Sequence, residues 1–483
     1  MLPPLPRLRH VAPLLATAAL ALGVTAPAAV ADPAQVHRPD VAASHVVPRP
    51  VLVTGPALAV RQAHDALADT TGFTDLPLIG GFSVSATPAQ RAWLVARGLT
   101  VTDDAPAHVT DADWGAGSHD ASAVYPQVDG APSAWKSGYD GHGVSVAVID
   151  TGIDDTGDLA GKVIDGFDFS GEGDYTKDSF GHGTFVAGTI AGSGAASGGA
   201  IKGVAPGVNL VSLKVAGADG STDLVRVIAA IGWTIAHAKA DHIRVLNLSL
   251  GTDATQGAGI DPLNVAVEAA WRAGIVVTVA AGNNGAGGIT SPGDDPYVIT
   301  VGAADDATTV AKSDDTVASY SSTGPTALGV AKPDLVAPGN HLVSTRAIGS
   351  TVDAGHPDAR VAPSYFRGSG TSFSAPQVAA AAALLLEQRP NLSNDHVKGM
   401  LTRTASALPG VRTTAQGAGE LNIPALLAAN PGKPANTGLK FSTGLARLIG
   451  LIESLGRGTN AWDTNAWDTN AWDTNAWDTN AWD

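Results

Sequence analysis

"VSVAVIDTGID", residues 144–154, decides how the chain is read. An almost unbroken apolar run ends on Asp150, and a Thr-Gly pair follows. The run lacks the alternation of a half-buried strand. It suits a strand covered on both faces, as in a parallel sheet. The same pattern recurs in "NLVSLKVA" (209–216), "IRVLNLSL" (243–250), "GIVVTVAAG" (274–282) and "YVITVGAA" (297–304). Between these runs lie helical stretches such as "DLVRVIAAIGWTIAHAKA" (223–240) and "DPLNVAVEAAWRAG" (261–274). Strand and helix therefore alternate from about residue 125 to 428. That alternation predicts an α/β domain with one doubly wound, mostly parallel sheet and helices on both faces.

Composition narrows the function. The chain has 483 residues, 44% hydrophobic and only 15% charged, with a net charge of −16. Such an acidic chain is a poor nucleic-acid binder, because phosphate affinity comes from Lys and Arg. There is no cysteine, which excludes disulfides, thiolate catalysis and Cys-zinc sites.

The flanks have their own signals. Arg7 and Arg9, the short apolar run "VAPLLATAALALGV" and Ala29-Val-Ala31 before Asp32 form a secretory signal, expected at 1–31. Pro13 interrupts a run too short to span a membrane well. Residues 32–50 read as a spacer. Residues 51–109 read as a small α/β unit, with Thr87 as the N-cap of a helix over "PAQRAWLV". The polar stretch 104–124 reads as an exposed linker, and its part 110–124 is expected to hold the maturation site. The main domain is expected at 125–428. A breaker-rich linker and a short amphipathic helix (Leu445, Leu448, Ile449, Ile452, Leu455) occupy 429–458, and "TNAWD" repeats fill 459–483. A period of five fits neither helix nor strand, so the repeats are expected to be disordered. Their evenly spaced tryptophans also suit a sugar surface such as a cell wall.

Four positions invite chemistry. Asp150 lies at the carboxyl edge of the sheet, where α/β sites form, although Asp before Thr-Gly is also ordinary turn chemistry. Asp-Thr-Gly after a strand also suits an aspartic protease, the runner-up reading, which needs two carboxylates sharing a proton. His182 stands between glycines in "DSFGHGTFVAGTIAG" (178–192). Asn283 follows a buried strand in "VAAGNNGAG" (279–287). "GSGTSFSAPQVAAAAALLLEQ" (368–388) places four hydroxyls at the start of an apolar helix, with Thr371 or Ser374 as an N-cap and Pro376 early in the helix. A serine there gains from the positive end of the helix dipole.

In the order Asp, His, Ser, these stretches resemble the subtilisin-like serine proteases (subtilases). So do "GADGS" (217–221), "LNLSLG" (246–251) and "SSTGP…KPDLVAPG" (321–339). The resemblance covers roughly 125–428. It implies Ser372 as nucleophile, His182 as general base and acid, Asp150 orienting the imidazole, and Asn283 holding the oxyanion. It implies that Gly217, Gly220 and Ser221, with Leu248, Ser249, Leu250 and Gly251, pair with an extended peptide substrate. It gives the side-chain pocket to Ala280, Ala281, Gly282 and Thr290 with Ser249–Gly251. It also implies that 51–109 is an inhibitory propeptide, with self-cleavage between about 105 and 124, so the chain is read as a secreted zymogen. No cofactor is implied for catalysis. Structural calcium is compatible, but the loop "SGAASGGAIKG" (193–203) lacks the oxygens of a frequent family site, leaving the acidic run 165–178 as an alternative. Phe185 stands where many members have a second histidine.

Overall fold

The computed structural model describes residues 47–109, 113–115, 123–252 and 261–442. The expected signal segment, residues 110–112 and 116–122 of the linker, the helix predicted over 445–455 and the repeats lie outside the described residues.

All five apolar runs are strands of one sheet. Its order is Thr316–Val317, Ile299–Asp305, Val276–Ala280, Ile243–Leu248, Ser145–Asp150, Asn209–Lys214, Val163–Asp168, with Leu335–Pro338 also paired to Ile299–Asp305. Every pairing is parallel except that of Thr316–Val317. The Asp150 strand sits between the strands ending at Leu248 and Lys214, so its carboxyl end opens mid-sheet. Helices Leu224–His237 and Pro262–Arg272 pack on each other, and helix His182–Ala191 packs on helix Thr371–Gln388.

The Thr371–Gln388 helix explains the alanine run. Residues Thr371 to Leu386 are all buried, because five strands of the sheet and the His182 helix pack against it. A helix enclosed on all sides has no polar face. Ala379–Ala383, each fully buried, let those neighbours approach closely.

The N-terminal unit begins two residues earlier than expected, at Arg49. Its four antiparallel strands run in the order Thr74–Leu76, Gly81–Ala86, Arg49–Thr54, Thr100–Asp103. Successive strand side chains point to opposite faces. Val51 and Val53 therefore enter the unit's own core with Phe82, Val84 and Leu94. Leu52, with Leu76, Leu78 and Ile79, joins the main domain's core instead. Thr87 caps its helix as expected: its Oγ1 accepts from Gln90 N (3.2 Å), and its N–H donates to Gln90 Oε1 (2.8 Å).

The breaker-rich segment after 428 is fastened down. Phe441 stacks on Tyr297 at 4.5 Å, and Ser442 N–H donates to the buried Glu268 carboxylate at 2.8 and 3.0 Å. Asn436 Nδ2 donates to Tyr297 O and Asp395 Oδ1. These contacts were hidden in the sequence because a segment rich in Pro, Gly and Asn carries no periodic pattern.

Candidate active site

Asp150 ends its strand and His182 opens its helix. Gly181, at φ +113°, turns the chain into that helix. Gly183 lets the first turn press against the Asp150 strand, since a β-carbon there would lie 2.1 Å from Gly152 O. The result is a 2.7 Å contact between His182 Nδ1 and Asp150 Oδ1, with both side chains essentially out of solvent. An ionised carboxylate only accepts hydrogen bonds. It therefore holds the proton on Nδ1 and leaves Nε2 as the acceptor.

Asp178 organises this corner from behind. Its Oδ1 accepts from Thr151 Oγ1 (2.8 Å) and Gly181 N (2.7 Å), and its Oδ2 from Thr184 N (2.8 Å). Thr151 Oγ1 in turn accepts from Gly183 N at 2.9 Å. The Asp150 turn and the start of the His182 helix thus hang on one carboxylate. Burial pushes that carboxyl up to about 6, against the pull of its hydrogen bonds. Its role was missed because Asp178 reads as one more member of an acidic run.

Ser372 is the second residue of its helix. Its Oγ lies 3.2 Å from Ser249 O. Pro376 has no N–H to give Ser372 O four residues back, and Ser249 Oγ donates to that carbonyl instead, at 2.7 Å. Ser249 Oγ is itself held by Asn247 Nδ2 at 2.9 Å. The His182 ring lies 5.3 Å from the ring of Phe373, the next residue after Ser372. The expected side-chain cap is absent. The N-cap is Gly370, without a side-chain bond, because the other hydroxyls are engaged elsewhere. Ser374 Oγ donates to Pro338 O (3.1 Å), and Ser369 Oγ accepts from His341 N (2.9 Å).

Thr371 holds Asn283 instead of capping the helix. Its N–H and Oγ1 both donate to Asn283 Oδ1 at 3.0 Å, and its Oγ1 accepts from Gly282 N at 3.2 Å. With Asn283 Oδ1 occupied, the donor end of the amide faces away from Thr371. An Asn283→Ala variant is expected to lose about 10²–10³ in kcat with little change in KM, the cost found for this donor in subtilisin itself. A rise in KM alone would contradict an oxyanion role.

The two strands expected to bind substrate bracket a third one. Residues Pro106–Val109 pair antiparallel with Ser221–Asp223 on one side and Leu250–Gly251 on the other. The linker was expected to be exposed, yet its first residues occupy the cleft. Beyond the site, Asp113 and Ser369 exchange backbone hydrogen bonds at 3.1 and 2.8 Å. Asp104 secures the entry, accepting from Leu224 N and Val225 N at the start of a helix. Leu248 ends its strand beneath this cleft. Gly217 O accepts from Gly220 N in the turn before Ser221. Gly220 has φ +73°, and a β-carbon there would meet the Phe180 ring at 2.6 Å. Ala280 and Ala281 are fully buried, Gly282 N is held by Thr371, and Thr290 N donates to Ala281 O at 3.2 Å.

Two alternatives lose support. A second Asp-Thr-Gly, at 155–157, follows the first. Asp155 accepts from Lys162 N at 3.2 Å, while Asp150 faces His182, so the two acids form no proton-sharing dyad. The acidic run uses its oxygens on its own chain. Asp168 accepts from Ser170 N at 2.6 Å and Asp174 N at 3.1 Å. Glu172 pairs with the buried Lys214 at 2.7 Å. Among the described residues no three His, Asp or Glu side chains converge as a metal site. No described helix is long and apolar enough to cross a membrane.

Comparison with known proteins agrees with this geometry. Residues 141–423 match the Subtilase family of peptidases. The chain is 44% identical over 289 residues to the serine protease AprX of Bacillus subtilis, covering 58% of this chain and 65% of that one, just under two thirds of its length. It is 36% identical over 295 residues to Subtilisin Savinase of Lederbergia lenta, covering 61% of this chain and 94% of the relative. The crystal structure of fervidolysin from Fervidobacterium pennivorans, a keratinolytic enzyme related to subtilisin, superposes with a TM-score of 0.63 at 25% identity, covering 80% of this chain and 62% of that one. An Asp–His pair at a sheet edge, a serine at a helix start and a family match over more than half of the sequence converge: the chain belongs to the subtilase family of subtilisin-like serine proteases.

Proposed function

We propose that the chain is an exported endopeptidase precursor whose residues 49–109 fill its own cleft until it cuts itself. The observation that carries this reading is the path of the backbone. It enters the cleft as strand Pro106–Val109 and re-emerges paired to Ser369 at Asp113. Ser249 and Ser372 lie next to those two anchors, so the bond to be cut falls between residues 109 and 113. Self-cleavage there ends within the expected maturation segment. The 1–31 segment supplies export, which places the mature enzyme outside the cell.

In the reaction, Ser372 Oγ attacks the scissile carbonyl carbon while His182 Nε2 takes the hydroxyl proton. Asp150 fixes the imidazole tautomer and stabilises its charged form. The carbonyl oxygen becomes an oxyanion, met by the Asn283 amide and the Ser372 N–H at the positive end of the helix. As the intermediate collapses, the C–N bond breaks and His182 returns the proton to the leaving amine. Water, deprotonated by His182, then releases the acyl group from Ser372. No cofactor enters any step.

Affinity for substrate comes from adding a strand between Ser221–Asp223 and Leu250–Gly251, as the chain's own residues do. Ala280, Ala281, Gly282 and Thr290 line a small uncharged pocket that favours an apolar side chain before the cut. The test is the purified Ser372→Ala precursor. It is expected to keep its N-terminal unit while the wild type sheds it, as read by N-terminal sequencing. Shortening of the pure variant between residues 109 and 113 would contradict the assignment.

A further inference from the structure

Just past the proposed cut, the chain inserts a tryptophan into a pocket that the reaction described above does not use. Trp114 is only 7% exposed. Its ring meets Phe185 and Phe366 edge-on at 5.5 Å, Phe373 at 5.3 Å and His182 at 6.3 Å. These separations and tilts are those at which aromatic rings attract. The floor is Gly368. A β-carbon there would lie 2.7 Å from the Phe373 ring and 2.9 Å from the indole. The pocket admits an indole because residue 368 has no side chain. Phe185 completes the wall, and a histidine at this position would put a polar ring against the indole.

The backbone beside the pocket is also set. Asp113 and Ser369 hold each other through two hydrogen bonds. Asp113 lies past the site, so the pocket serves the part of the peptide that departs as the amine.

We propose that this pocket is a subsite that reads tryptophan on the leaving side of the scissile bond. Its preferred substrates are peptides with a tryptophan two to five residues after the cut, the interval set by a cut between residues 109 and 113. The assignment rests on the endopeptidase reading above. The chain carries this ligand chemistry in two places. Residues 110–114 read Thr-Asp-Ala-Asp-Trp, and the C-terminal repeats read Thr-Asn-Ala-Trp-Asp five times. Apart from one Asp-to-Asn exchange, the two have the same composition. The repeats are thus a second source of the ligand and compete with substrate for the pocket.

The test uses the self-processed Trp114→Ala enzyme, whose own N-terminus cannot refill the pocket, and two peptides, APAHVTDADWGAGS (residues 105–118) and its Trp→Ala analogue. The tryptophan peptide is expected to show a kcat/KM about tenfold or more higher, the scale of a buried aromatic contact. Equal values, with both peptides cut, would overturn the subsite and leave the endopeptidase reading standing. If neither peptide nor casein is cut, the endopeptidase reading itself falls, and the subsite with it. A five-repeat TNAWD peptide then separates the sources. Inhibition that disappears when its tryptophans become alanine places the repeats in the pocket. If neither version inhibits, the competition by the repeats is wrong.

Discussion

Replacing Ser372 with alanine is expected to lower kcat by about 10⁶, the loss measured when the corresponding serine is removed from subtilisin, a member of this family. The size follows from what remains. The Asn283 amide, the helix N-terminus and the strand-pairing edges still bind the substrate, and they leave a residual acceleration over water of about 10³–10⁴ in such enzymes. Once the N-terminal unit of the variant has been removed in trans, KM should change little, because the missing oxygen contributes to bonding in the transition state rather than to binding. Folding should also survive, since alanine fits the same space at the second position of the helix. The backbone bond from that position to Ser249 Oγ does not depend on the side chain. Progress curves on a peptide substrate, with circular dichroism as the folding control, check both halves.

The Asp150→Asn variant is expected to lose about 10⁴ in kcat, as in the chymotrypsin-type version of the same triad. Its amide fills the same space, so the damage is electronic. Asp150 Oδ1 presently accepts from both His182 Nδ1 (2.7 Å) and Thr151 N (2.8 Å). An asparagine whose oxygen keeps the Thr151 bond can turn its NH₂ toward the ring. His182 then accepts at Nδ1 and carries its proton on Nε2, where it cannot receive one from Ser372. The loss should shrink at high pH, where hydroxide or an ionised serine bypasses the base. A loss of similar size at every pH, together with a lower melting temperature, would point to misfolding instead.

Much of this architecture is legible in the sequence, for a physical reason. A strand covered on both faces must be apolar at every position, so Ser145–Asp150, Asn209–Lys214, Ile243–Leu248, Val276–Ala280 and Ile299–Asp305 stand out. Val163–Asp168 does not, because it is the sheet's edge and its side chains are half exposed. Leu335–Pro338 is too short to show a period. The small sheet of Leu342–Thr345, Tyr365–Gly368 and Arg360–Val361 pairs distant segments that share no local pattern.

The site divides the same way. Asp150, His182 and Asn283 announce themselves through flanking glycines, which are needed where backbones approach closely. Asp178 and Thr371 act through hydrogen bonds to backbone atoms brought together only by folding. Trp114 lies among Gly, Ser, Ala and Asp, and that composition reads as an exposed linker. Its burial follows from the pairing of Pro106–Val109 and Asp113 on either side of Ser372. Gly370, the N-cap, is extended at φ 161°. The glycine that matters in that stretch is Gly368, for the space it leaves.

Ser372 is the proposed nucleophile. Treating the self-processed protein with a fluorophosphonate, then digesting it and mapping the adduct by mass spectrometry, tests it most directly. The predicted result is one modified residue, Ser372, with loss of peptidase activity in step with labelling, and no adduct in the Asp150→Asn variant on the same timescale. Full activity in a quantitatively treated protein, or an adduct on Ser369 or Ser374 in place of Ser372, would contradict it.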